Sequence, residues 1–147
     1  MKIDDLNVSI LKHLRDGRKS FKEIAEVLSV TENTIRARVN KMQDEQILDI
    51  AGLVDPELVP GLTLAIIGVK LDTMSLVSKA EEFSKLRGVV WVGVVTGRYD
   101  LMLTVLLNEN LTFLKFFTEE MSRIKDVQST ETFVVYKGYN LKVPYVL

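Results

Sequence analysis

Hydrophobic residues recur along this chain with two periods, a helical one in the first third and an alternating one afterwards. Leu6, Ile10 and Leu14 repeat at fourfold spacing and predict a helix over 3–15, begun by Asp4 or Asp5 and ended near Gly17. Phe21, Ile24, Ala25 and Leu28 fall at i, i+3, i+4 and i+7, and Ser20 with Glu23 has the spacing of a capping box at the head of this second helix. Ile35, Val39 and Met42 make the stripe of a third helix, which leaves Glu32, Asn33, Thr34, Arg36, Ala37 and Lys41 to face outward. Between the second and third helices, Leu28-Ser29-Val30-Thr31 reads as a turn with Val30 inward and Thr31 placed to cap the third helix.

Two short amphipathic helices joined by such a turn have the layout of a helix-turn-helix DNA reader, whose second helix presents its N-terminal residues to a groove. Asn33 and Thr34 have side chains able to hydrogen-bond base edges or phosphate. Arg36, Arg38 and Lys41 place three cations within six residues, Arg38 with its stem along the core edge and its guanidinium free to reach a phosphate. The competing reading is a helical hairpin that only packs.

After Gln46 the pattern changes to Ile47, Leu48, Ile50 and Leu53, then Asp55-Pro56 and Pro60-Gly61, a short strand and a connecting loop that mark a domain boundary. The expected organisation is a first domain over 1–50, a linker over 51–61 and a second domain over 62–147. In the second domain, strands are predicted over 62–71, 89–96, 100–107 and 128–137, with helices over 74–86 and 111–124. The resulting fold class is α+β: a winged-helix-like helix-turn-helix domain followed by a ferredoxin-like βαββαβ plait with both helices on one face of an antiparallel sheet. The strands are apolar on both faces. Val90, Val92 and Val94 alternate with Val89, Trp91 and Val95, and Leu101, Leu103 and Val105 with Met102, Thr104 and Leu106, so the face away from the helices needs a cover. A second copy of the chain, sheet against sheet, supplies one; the first domain folded over the sheet is the alternative.

Composition narrows the function. With 147 residues, 47% hydrophobic and 27% charged, the chain holds one ordinary globular domain or two small ones. No signal-like N-terminus or membrane-length apolar run is present, which sets the expectation of a cytoplasmic protein without a membrane partner. There is no cysteine, so no thiolate nucleophile or sulfur-ligated metal is expected, and the lone His13 reads as a surface or hinge residue. A formal net charge of -1 counts against indiscriminate coating of nucleic acid, so tight binding needs focused charge, such as the Arg36 to Lys41 cluster doubled in a dimer.

The opening IDDLNVSILKHLRDGRKSFKEIAEVLSVTENTIRARVNKM, the phrase LVDPELVPG and the hairpin TGRYD together resemble the Lrp/AsnC (feast/famine) family of transcriptional regulators, over almost the whole chain. The resemblance implies a DNA-binding N-terminal domain and a C-terminal domain for assembly and ligand sensing. It further implies dimers built through the sheets, higher oligomers, and effectors that are usually amino acids. The expected DNA-binding set is Ser20, Thr31, Glu32, Asn33, Thr34, Arg36, Ala37, Arg38 and Lys41. From the resemblance, Gly97, Tyr99 and Asp100 carry over as effector residues, with Arg98 at the variable position of the turn included and Thr130 and Thr132 added by position in the fold. Gly97 and Asp100 also have a plain account as hairpin residues; the functional account uses turn N–H groups for an α-carboxylate and an acidic side chain for an α-ammonium. Two positions depart from the family pattern: Glu45-Gln46-Ile47 stands where many relatives end the recognition helix with glycine, and Ala37 where many carry a cation.

The expected function is therefore sequence-specific binding of double-stranded DNA, modulated by a small molecule, with no cofactor, no metal and no catalytic residues. Two other readings are an amino-acid-sensing assembly module without DNA binding, and an enzyme like the siroheme decarboxylases, which resemble this family in fold. The single histidine and the lack of any nucleophile set or phosphate loop weigh against the enzyme.

Overall fold

The computed structural model describes residues 2–147, in two compact units that meet between Ile50 and Ala51. In the first unit, α1 (Asp5–Leu14), α2 (Phe21–Leu28) and α3 (Glu32–Asp44) surround a core of Ile10, Ile24, Ala25, Ile35, Val39 and Met42. Each helix starts on a side-chain cap. Asp4 accepts from the Asn7 N–H at 2.9 Å, Ser20 from the Glu23 N–H at 3.2 Å, and Thr31 from the Thr34 N–H at 3.2 Å. Both ends of the helix-turn-helix close on left-handed residues, Ser29 (φ 55°) after α2 and Gln46 (φ 56°) after α3. Gln46 thus occupies the conformation that glycine would take, and the Ile47 N–H returns to the Met42 carbonyl at 2.8 Å.

The second unit contains β1 (Leu53–Val54), β2 (Thr63–Leu71), α4 (Leu76–Ser84), β3 (Val89–Val94), β4 (Leu101–Leu107), α5 (Phe113–Lys115), β5 (Val127–Val134) and β6 (Val143–Pro144). The four long strands form an antiparallel sheet in the order β3-β4-β2-β5, the strand order of a βαββαβ plait. Ile67, Val69 and Leu71 of β2 and Leu101, Leu103 and Val105 of β4 face Phe83 of α4 and Phe116. The short strand expected at this boundary is β1, within the stretch 51–61, and it pairs with β6 in a separate two-stranded sheet that the sequence did not predict. Acids of this stretch clamp the chain end: Asp55 meets Lys142 at 3.1 Å, and Glu57 takes Lys137 at 2.7 Å and the Gly138 N–H.

Two local expectations need correction. The simple alternation along β3 fails because a bulge shifts the register: Val89 opposes Val105, but Trp91 opposes Thr104 and Val92 opposes Leu103. Val89, Val92 and Val94 therefore share the helix side, Trp91 and Gly93 the other, and Val90 packs near Leu64 and Leu106. The expected continuous helix over 111–124 is a single α turn, α5, followed by a π turn at Phe116–Glu120 and a 3-10 turn at Met121–Arg123. The wider π turn accommodates Phe116, Glu120 and Met121 all facing inward. Buried Glu120 accepts from the Arg87 N–H at 3.4 Å and from Arg123 at 3.3 Å.

Candidate nucleic-acid interface and effector site

The nine residues expected to meet DNA divide by what already holds them. Ser20 is committed to the head of α2: its N–H and Oγ both donate to Glu23 Oε2 at 2.7 Å. This hydrogen bonding, together with Lys19, holds the Glu23 carboxyl below the usual range, so an anionic oxygen stands at that helix end. Thr31 caps α3, and its hydroxyl lies 2.9 Å from that of Thr34. Arg36 pairs with Glu32 one turn back at 2.7 Å, and its guanidinium lies 5.4 Å from the centre of the Phe21 ring.

Arg38 departs from its expected reach towards solvent. Its Nη1 donates to Asp4 and, at 3.0 Å, to Asn7 Oδ1, joining α3 to the start of α1. The Arg38 hydrogen bond, followed by the Asn7 N–H, holds the Asp4 carboxyl below the ordinary aspartate value. Asn7 is fully buried, and its Nδ2 has no partner among the described residues. That leaves Asn33, Ala37 and Lys41 exposed, with no hydrogen bond or ion pair holding the Asn33 or Lys41 side chain among the described residues. The three fall at fourfold spacing and so form one stripe along α3.

The hairpin between β3 and β4 is anchored by Asp100. Its Oδ2 accepts from the Leu71 N–H at 2.8 Å and its Oδ1 from Lys70 Nζ at 3.0 Å, in that order the causes that hold this carboxyl low. Gly97 takes φ 121° at the tip. The Tyr99 ring folds over Gly68, where an added Cβ would lie 2.7 Å from Tyr99 Cγ, and meets Phe133 edge to face at 6.5 Å.

Beside this ring Lys70, Arg98, Tyr99, Ser129, Thr130 and Glu131 line a shallow recess, across which Arg98 and Glu131 pair at 3.5 Å. The structure thus joins Arg98, Tyr99 and Thr130 of the expected set, with Asp100 beneath them holding Lys70. Thr130 and Thr132 both oppose helix-side core residues, Val69 and Ile67, and of the two only Thr130 reaches the recess, at its border along the edge strand β5. Lys70, Ser129 and Glu131 were absent from the expected set. Two signals for them exist in the sequence: Lys70 is the lone cation in the apolar run LTLAIIGVKL, and Ser129 and Glu131 alternate with Thr130 and Thr132 on one strand.

Comparison with known proteins fits this division of labour. Residues 3–43 match the AsnC-type helix-turn-helix domain, and residues 64–142 match the Lrp/AsnC ligand binding domain. This chain belongs to the Lrp/AsnC family. An uncharacterized HTH-type transcriptional regulator of Pyrococcus horikoshii is 31% identical over 137 residues, 92% of this chain and 87% of the relative. The structure of Escherichia coli AsnC aligns with a TM-score of 0.71 at 26% identity, covering 96% of this chain and 97% of that one. A Neisseria meningitidis transcriptional regulator solved as its L-Met complex has the same fold, with a TM-score of 0.70 at 23% identity over 99% of this chain and 96% of that one. As a member of the Lrp/AsnC family the chain is a DNA-binding transcriptional regulator with a ligand-binding domain, and the enzyme reading falls away.

Proposed function

We propose that this Lrp/AsnC regulator reads duplex DNA through the exposed stripe of α3 and adjusts that binding in response to a free amino acid. The carrying observation is that Asn33 and Lys41 project from α3 with no side-chain partner among the described residues, while Arg38 is tied to α1. Asn33 would hydrogen-bond base edges and Lys41 would meet phosphate. A homodimer formed through the open sheet face would present two copies of α3 to grooves about 34 Å apart. Trp91 and Phe133, 53% and 44% exposed, support that face as a contact surface.

The recess supports the effector assignment. Arg98 and Lys70 offer cations to an α-carboxylate, and Glu131 offers an anion to an α-ammonium, so a zwitterion could exchange with the long Arg98–Glu131 pair. Asp100 supports the site through Lys70. The L-Met complex of the Neisseria regulator makes an amino acid the ligand class to examine first. A higher assembly of dimers would let such a ligand act through differential affinity for states that present α3 differently.

Variants of α3 test the DNA reading. Lys41→Ala should weaken binding to every duplex and reduce the slope of log K against log salt by about 0.9 per phosphate neutralised. Asn33→Ala should leave that slope intact but cost roughly 1–3 kcal/mol of discrimination between sites. Fluorescence anisotropy over a salt series distinguishes these effects; wild-type behaviour in both variants would refute the role of α3.

A further inference from the structure

The larger group of cations in the first unit, and the one least paired with acids among the described residues, lies outside α3. Residues 12–22 contain five cations, Lys12, Arg15, Arg18, Lys19 and Lys22, against one acid, Asp16. Asp16 neutralises none of them through a side-chain pair among the described residues, since its carboxylate accepts from the Arg18 backbone N–H at 3.3 Å. Arg15, Arg18 and Lys22 are exposed and carry no ion pair among the described residues. Lys19 Nζ rests 3.0 Å from His13 Nδ1, which ties the turn to the end of α1.

This patch is continuous with the recognition surface. Phe21, which precedes Lys22, lies under the Arg36 guanidinium of α3 at 5.4 Å. The head of α2 cannot itself serve as the anion site, because Glu23 already closes it with a carboxylate. Any phosphate at this end of the unit must be held by the flanking cations. Since Arg36 and Arg38 are both engaged by acids, α3 alone contributes only Lys41 as an unpaired cation among the described residues, too little focused charge for a chain of net charge -1.

We propose that Arg18 and Lys22, backed by Arg15 and Lys19, grip the sugar-phosphate backbone of duplex DNA beside the groove that α3 enters. Charge complementarity and continuity with α3 select this occupant, and the proposal rests on the DNA reading above.

The test is a salt series on one duplex, by fluorescence anisotropy, with the full chain carrying Arg18→Gln and Lys22→Gln together. The slope of log K against log salt should fall by about 0.9 for each phosphate no longer neutralised, roughly 1.8 per protomer, with the ratio between matched and mismatched duplexes unchanged. The charge-preserving pair Arg18→Lys and Lys22→Arg should retain the wild-type slope. An unchanged slope in a Gln variant with wild-type circular dichroism would overturn the patch assignment, as would a diminished slope in the charge-preserving pair. Wild type binding normally in that case leaves the α3 reading standing. Failure of wild type to bind any duplex would remove both.

Discussion

Charged side chains on the first unit do two different jobs, and Arg38 shows how they are separated. It points from α3 into a pair of acceptors on α1, so its removal should cost stability rather than phosphate binding. Arg38→Ala is expected to lower the thermal midpoint at neutral pH while leaving the salt slope of DNA binding unchanged. Because Arg38 holds the Asp4 carboxyl low, folding gains from that carboxylate above the ordinary aspartate range. The gain disappears as pH falls through the lowered value, so the variant should also lose that part of its acid dependence. Melting curves from neutral to acid pH check both; a normal midpoint with a reduced salt slope would put Arg38 on DNA. The period of α3 correctly gave the exposure of Arg36 and Lys41, but a partner 31 or 34 positions away is invisible to a periodicity argument. The same limit applied to Asp100, whose acceptors are met by Lys70 and Leu71 of β2, the neighbouring strand in the sheet.

Helix and strand ends carried the next level of information. The caps at Ser20 and Thr31 were legible because their chemistry is local, within three residues. The left-handed backbone of Gln46 was not legible from its own side chain, which has no preference for it, although the resemblance had marked 45–47 as the helix end. Holding a non-glycine residue there costs about 1–2 kcal/mol. Gln46→Gly should therefore raise stability, by roughly 0.5–1 kcal/mol after the added chain entropy of glycine is subtracted. A higher urea midpoint would agree, and a lower one would contradict the account of this helix end. The π turn and the β3 bulge escaped pattern reading for a different reason: each inserts one residue into a regular period to satisfy tertiary packing around Glu120 and Val90.

At the scale of the molecule, the plait was readable from its order of apolar runs because each strand and helix must bury a face. What covers the second sheet face was only inferable, and the structure leaves Trp91 and Phe133 partly open there. If sheet pairing is the cover, Trp91→Glu should shift the chain from dimer to monomer in analytical ultracentrifugation at micromolar concentration. A dimer of unchanged affinity would place the interface elsewhere. The proposed assembly reads a DNA sequence and answers to an amino acid. Its most direct test is selection of bound fragments from a random duplex library at near-physiological salt, with and without a pool of amino acids. Enrichment of a palindromic site whose yield changes with one amino acid is the expected outcome. No enriched sequence from a folded, dimeric protein under either condition would contradict it.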